Sequence, residues 1–117
     1  MAEKMLKAAR KGQKLDTFVY RALGNAKKVI YVGITNDIAR REAEHLAQQG
    51  FRIKPLLKRL SRSDARAVEQ VLIEIHGLGK NEGTLLNKIN SIAKTNPIFG
   101  AQLRRGLELL KSIGYNP

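Results

Sequence analysis

The chain has 117 residues, with 22 Lys plus Arg against 10 Asp plus Glu and a formal charge of +12, which is one domain of ordinary size. Hydrophobic residues make up 43%, too many for wholesale disorder, and with no cysteine and two histidines a disulfide scaffold, cysteine-ligated metal clusters and a thiol nucleophile are excluded. No apolar run approaches the roughly 18 residues of a membrane span, and the N-terminal stretch lacks the apolar core of a secretion signal.

Residues 1–14 read as a basic lead-in helix or arm, with Met5, Leu6, Ala8 and Ala9 giving a thin apolar stripe. One domain over 15–117 follows. Asp16 to Ala22 and Lys28 to Thr35 are rich in β-branched and aromatic residues, and Gly24-Asn25 between them signals a tight hairpin turn. Asn36 or Asp37 can cap a helix over about 38–48, which Gly50 closes in the left-handed conformation. Residues 51–58 read as extended, and Pro55 argues for an edge strand. Ser61 or Ser63 then caps a helix over about 64–77, where Val68, Val71, Leu72 and Ile75 repeat at the spacing of a buried stripe. Gly77 and Gly79 end that helix, and a loop punctuated by Gly and Asn leads to a short apolar segment from Leu85 to Ile92. After Pro97 a last helix runs over roughly 99–113, with Leu103, Leu107, Leu110 and Ile113 on one side. The sum is an α+β fold in which a small sheet, the hairpin plus a third strand, is flanked by helices.

A charge of +12 on so small a surface calls for a polyanionic partner, and nucleic acid comes first because its phosphates reward many cations through counterion release. Arg40, Arg52, Lys54, Lys58, Arg59 and Arg62 cluster around the helix and strand that follow the hairpin, where they fit a phosphate groove. Three Tyr, three Phe and no Trp make a poor stacking platform for single strands. Backbone-dominated binding of duplex DNA is favoured over RNA.

The hairpin carries Phe18-Val19-Tyr20 on its first strand and Tyr31-Val32-Gly33 on its second, separated by ten residues. Arg41 follows Tyr31 by ten positions and His45 follows Arg41 by four. In these tripeptides, their separation and the Arg and His beyond them, the chain resembles the GIY-YIG nuclease superfamily over roughly residues 17–90. Phe18 stands where the pattern has glycine, and valine replaces isoleucine in both tripeptides. The resemblance implies a glutamate on a later helix and an asparagine beyond it. It favours Glu69 over Glu74 for the first, and Asn87, in Leu85-Leu86-Asn87, over Asn90 for the second.

The residues themselves suit that reading. Alternation along a strand lets Tyr20 and Tyr31 share one face of the hairpin while the valines bury on the other. Arg41 and His45, one turn apart, project from one helix face, and Gly33 permits the helix a close approach to the strand end. Glu69 sits at the edge of the buried stripe, where a carboxylate needs a partner and a divalent ion would be one. Phosphodiester hydrolysis needs a metal, a base for water and a cation for the transition state.

The resemblance assigns these roles: Glu69 holds one Mg²⁺ or Mn²⁺ ion, Arg41 stabilises developing charge, and Tyr20 takes a proton from the attacking water. An unperturbed phenol with a pKa of about 10 is a weak base for that task, so Tyr20, Tyr31 and His45 all remain candidates. The end of the chain looks similar to the C-terminal nuclease domains of bacterial polymorphic toxins and effectors. That likeness implies action in the cytoplasm of a target cell after secretion, otherwise a cytoplasmic enzyme, and an acidic immunity protein as partner. The rival is a non-catalytic basic nucleic-acid-binding module on the same scaffold.

Overall fold

Strand β1 (Thr17–Leu23) and strand β2 (Val29–Thr35) pair antiparallel, with Val19 opposite Ile34, Tyr20 opposite Gly33 and Ala22 opposite Tyr31. The period-2 alternation therefore sorts Tyr20, Ala22 and Tyr31 to one face and Val19 and Val32 to the other. These elements belong to a computed structural model that describes residues 14–115. The expected basic arm over 1–14 thus lies, apart from Lys14, outside the described residues. The connection between the strands is not the tight Gly24-Asn25 turn. It is a short 3₁₀ turn over Asn25–Lys27 in which Ala26 and Lys27 adopt positive φ, and the pairing slips by one residue just before it, at Ala22/Leu23.

Helix α1 (Ile38–Gln49) starts at Asp37, whose carboxylate accepts the Arg40 N–H at 3.1 Å, and ends at Gly50 with φ 73°. Of the two cap candidates, Asp37 is the one used. Strand β3 (Lys54–Leu60) joins the free edge of β1, giving the order β2-β1-β3. Pro55 lies on an edge strand as expected, but the strand begins three residues later than the extended composition suggests. Phe51 and Ile53 are drawn off to cover the tyrosine face of the sheet.

Helix α2 (Arg62–His76) begins two residues earlier than the expected start near residue 64 because Ser61, not Ser63, caps it, its side chain accepting the Asp64 N–H at 3.1 Å. It lies between the sheet and helix α3 (Phe99–Ser112). Being covered from two sides, it buries Ala65, Ala67 and Ile73 beyond Val68, Val71 and Leu72 of the expected stripe, whose fourth member, Ile75, is only half-buried against the core. On α3 the buried residues are Gly106, Leu109 and Leu110, with Leu103 and Leu107 packed alongside. Ile113 is 43% exposed, since the helix stops at Ser112 before the stripe reaches it.

The outer edge of β2 is sheathed by residues 84–87. The Leu86 N–H donates to the Ile30 carbonyl at 2.6 Å, the Thr84 hydroxyl donates to the Val29 carbonyl, and the Asn87 amide pairs with both polar atoms of the Val32 peptide. An edge strand's open hydrogen-bonding groups are met in this way without a fourth strand. The result is layered: α1 and residues 51–53 on one side of the sheet, α2 and then α3 on the other. No described helix is long and apolar enough to cross a membrane.

Candidate active site

Tyr20 is 1% exposed and His45 3%, both enclosed between the sheet and α1. The Tyr20 ring lies across Gly33. A Cβ on Gly33 would overlap the tyrosine's hydroxyl and ring, so this glycine makes room for Tyr20 rather than for an approaching helix. The stacked Tyr20 and Tyr31 rings have centroids 6.2 Å apart, and His45 meets the Tyr31 ring at 4.8 Å and Phe51 at 4.8 Å. Two tyrosines eleven residues apart in sequence thus reach the same histidine, as the strand register requires.

Hydrogen bonds connect the group. Tyr20 Oη is 2.9 Å from His45 Nε2, and Arg41 Nη2 lies 3.2 Å from the same nitrogen and 3.4 Å from the Tyr20 hydroxyl. His45 Nδ1 is 2.6 Å from Gln49 Oε1. The other amino group of Arg41 donates to Glu44 at 2.7 Å. That bond holds the Glu44 carboxyl below the usual carboxylate range and raises Arg41 further above its ordinary value. Burial pushes the Tyr20 phenol up to about 12, a rise that the Arg41 hydrogen bond opposes. A phenol in that state keeps its proton near neutral pH.

Glu69 stands on α2 in the wall of an open cleft of about 420 Å³ that runs along the β2 edge. Tyr31, Gln49, Arg66, Asn87, Lys88 and Ser91 share the lining. Burial raises the Glu69 pKa above the ordinary carboxylate value. The Ser91 hydroxyl, and then the charges of Arg66 and Arg62, work against the rise. That hydroxyl is itself buried without a well-formed hydrogen bond to any described group. Glu74 points to solvent and takes Lys94 at 3.8 Å, which leaves Glu69 as the carboxylate facing the cleft. Among the described residues no three His, Asp or Glu side chains gather round one point. A single desolvated carboxylate beside the Ser91 hydroxyl nevertheless fits a hard ion such as Mg²⁺, which keeps most of its waters and takes one or two carboxylates.

The structure therefore brings Tyr20, Tyr31, Arg41 and His45 into one cluster and places Glu69 and Asn87 in the adjoining cleft. Both polar atoms of the Asn87 side chain are taken by the Val32 peptide, at 3.0 and 2.7 Å, so it anchors the cleft wall. Asn90 is held by Gln70 at 3.0 Å. The expected groove cations fall elsewhere. Lys54, Lys58 and Arg59 lie on β3, at the sheet edge opposite the cleft, Arg52 precedes that strand, and Arg40 pairs with Asp37 and Glu44. The cations that line the cleft are Arg66 and Lys88. Arg66 had a signal in sequence, three positions before Glu69 and hence on the same helix face; Lys88 had none beyond its place next to Asn87.

The GIY-YIG catalytic-domain family model matches residues 16–81, a span that holds both tyrosines, Arg41, His45 and Glu69 and stops short of Asn87. Neither the curated proteins nor the solved structures yield a match. With more than half of the chain matched, and with the three-stranded antiparallel sheet and helices which that fold requires, the chain belongs to the GIY-YIG nuclease superfamily.

Proposed function

We propose that this protein is a divalent-metal-dependent endonuclease that hydrolyses phosphodiester bonds, with duplex DNA as the preferred substrate. Membership of the family implies a nuclease and hence a nucleic-acid substrate, and GIY-YIG nucleases generally use divalent ions. The observation that carries the finer reading is the desolvated Glu69 carboxylate in the same cleft as the Tyr31 ring and two cations.

In this mechanism Arg66 and Lys88 draw the sugar–phosphate backbone into the cleft. Glu69 would hold Mg²⁺ or Mn²⁺ beside Ser91; when bound, such an ion neutralises charge on the scissile phosphate and acidifies a water. Tyr31, the tyrosine of the cleft wall, presents its hydroxyl to the attacking water. Tyr20 stands one layer behind, with its proton directed at His45 Nε2, and so orients the histidine and Arg41 instead of acting as the first base. Arg41 supplies the positive charge for the pentacovalent transition state, and phosphate competes with Glu44 for its guanidinium.

Supercoiled plasmid and an RNA of equal length, each incubated with Mg²⁺, with Mn²⁺ and with EDTA, test the reading. Nicking of the plasmid with either metal, lost in EDTA, is the expected result. Tight binding with no cleavage under any metal selects the non-catalytic binding module instead. The likeness of the chain's end to toxin nuclease domains favours a delivered toxin that acts in a target cell's cytoplasm, and the charge of +12 would then suit an acidic immunity protein. Toxicity on expression, relieved by the Glu69→Gln change, tests that role.

A further inference from the structure

We infer that Gln49 is a positioning residue that keeps the ring proton of His45 on Nδ1, and thereby makes Nε2 the acceptor that aims the Tyr20 hydroxyl. The inference deepens the nuclease reading and rests on it only for its effect on cleavage.

The hydrogen-bond inventory of the cluster fixes the tautomer. A guanidinium has donors and no acceptor. Arg41 Nη2, 3.2 Å from His45 Nε2, therefore requires a lone pair on that nitrogen. The single N–H of the neutral ring then sits on Nδ1, where the Gln49 carbonyl oxygen accepts it at 2.6 Å. Tyr20 Oη, at 2.9 Å, can only donate to Nε2, and its own lone pairs are left to accept from Arg41 at 3.4 Å. The chain of donors runs Arg41 to Tyr20 to His45 to Gln49 with one orientation throughout. Nε2 has one lone pair, so Tyr20 takes it at the shorter distance and Arg41 shares its N–H groups between that nitrogen and the Tyr20 oxygen.

The ring has little freedom to evade this control, because His45 is 3% exposed and wedged among Tyr20, Tyr31 and Phe51. Take away the Gln49 carbonyl and the Nδ1 proton is buried without an acceptor, which is unfavourable. The ring regains a partner by carrying its proton on Nε2 and donating to the Tyr20 oxygen. The Tyr20 O–H must then turn away, and the Arg41 amino group faces another N–H. Gln49 closes α1, one turn beyond His45, and it also lines the cleft beside Tyr31 and Glu69. It therefore links the substrate groove to a tyrosine that the groove does not touch.

The test combines imidazole ¹⁵N NMR with single-turnover cleavage for the wild type, Gln49→Met, which keeps the shape and loses the acceptor, and Gln49→Glu, which keeps an acceptor. All are measured at mildly alkaline pH. His76, hydrogen-bonded to Tyr115 at 2.8 Å, is the internal control and should not change. Expected are a protonated Nδ1 and a bare Nε2 on His45 in the wild type and in Gln49→Glu. Gln49→Met should show a mixed or Nε2-protonated ring, with cleavage at saturating DNA, where any change in affinity no longer counts, slowed about 10-fold or more. A wild-type ring protonated on Nε2, or a Gln49→Met ring that keeps its Nδ1 proton, overturns the inference. If the tautomer shifts as expected while cleavage does not slow, Gln49 is no positioning residue. A wild type that cuts nothing with Mg²⁺ or Mn²⁺ overturns the nuclease reading, and the spectra alone then decide this one.

Discussion

On the side of the sheet turned to α2, Val19, Val29 and Val32 pack with Val68, Leu72 and Leu110, held by shape and exclusion of water. On the side turned to α1, Tyr20 and His45 are buried almost as completely, at 1% and 3% exposure, yet each spends its polar atoms on a hydrogen-bonded neighbour. Burial serves different ends on the two faces. The dry one supplies cohesion that no single contact dominates, whereas the polar one fixes the direction of individual protons. Damage to the first should unfold the protein. Damage to the second should leave it folded and slow.

The largest effect is expected on the dry face. Leu72→Ala, at 1% exposure, should cost about 2–5 kcal/mol of folding stability in urea denaturation. Cleavage per folded molecule should not change. A proportionate loss in rate would show that the two faces are coupled.

Glu69→Gln reverses that pattern: cleavage should drop at least ~10²-fold, the scale of losing an electrostatic catalyst. Stability carries a sign as well. Burial raises the Glu69 pKa in the fold, so the native state holds this proton more tightly than the unfolded chain. Its contribution is complete below the ordinary carboxylate pKa and is lost as pH rises through the raised value. The Tm of Glu69→Gln should accordingly gain on that of the wild type between acidic and neutral pH, without metal. Added Mg²⁺ should raise the Tm of the wild type alone. A gap that does not vary with pH would place the carboxylate in solvent.

A middle-sized effect tests the polar face directly. Gly33→Ala puts a Cβ into the Tyr20 ring, so the ring must shift and part from His45. The expected cost is about 1–3 kcal/mol of stability, together with slower cleavage. The preceding residue, Val32, faces the dry side, and Val32→Ala should lower stability without slowing cleavage per folded molecule. If Gly33→Ala cuts at the wild-type rate, the Tyr20–His45 bond is not needed for the reaction.

What could be read from the sequence follows from the range of the forces involved. Strand alternation, the turn of a helix between Arg41 and His45, and the closing Gly50 are local, and they put the tyrosine pair and its histidine together as expected. Segment 84–92 has no period, because its backbone partners lie on β2 and on the Gln70 side chain. Taken locally it is a short apolar run, and Asn87 and Asn90 stand out in it only through the family resemblance. Phe51 and Ile53 looked like the start of a strand because nothing local shows that the tyrosine face needs a lid. The pairing of Arg41 with Glu44 and of Gln49 with His45 had helical spacing in its favour, yet so do many exposed pairs that do nothing. Which cations reach the cleft depended on strand order, and β3 joined β1 rather than β2.

That last point yields the smallest and most selective prediction. Arg66 lines the cleft, whereas Lys54 sits on the far edge strand, two strand spacings or about 10 Å from β2. If phosphate backbone follows the cleft, Arg66→Gln should reduce the slope of log affinity against log salt by about 0.9, the value of one neutralised phosphate, while Lys54→Gln leaves it nearly unchanged. Arg66 has a second effect that Lys54 lacks, since its charge lowers the Glu69 pKa. Its removal should therefore move the acidic limb of the cleavage pH profile upward, because Glu69 must lose its proton to hold a cation. A salt titration of binding, alongside cleavage rates across the acidic range, separates the two residues. Equal slopes for both variants would mean that the duplex crosses the whole sheet, and the cleft would then be only the part of a wider basic surface where the chemistry occurs.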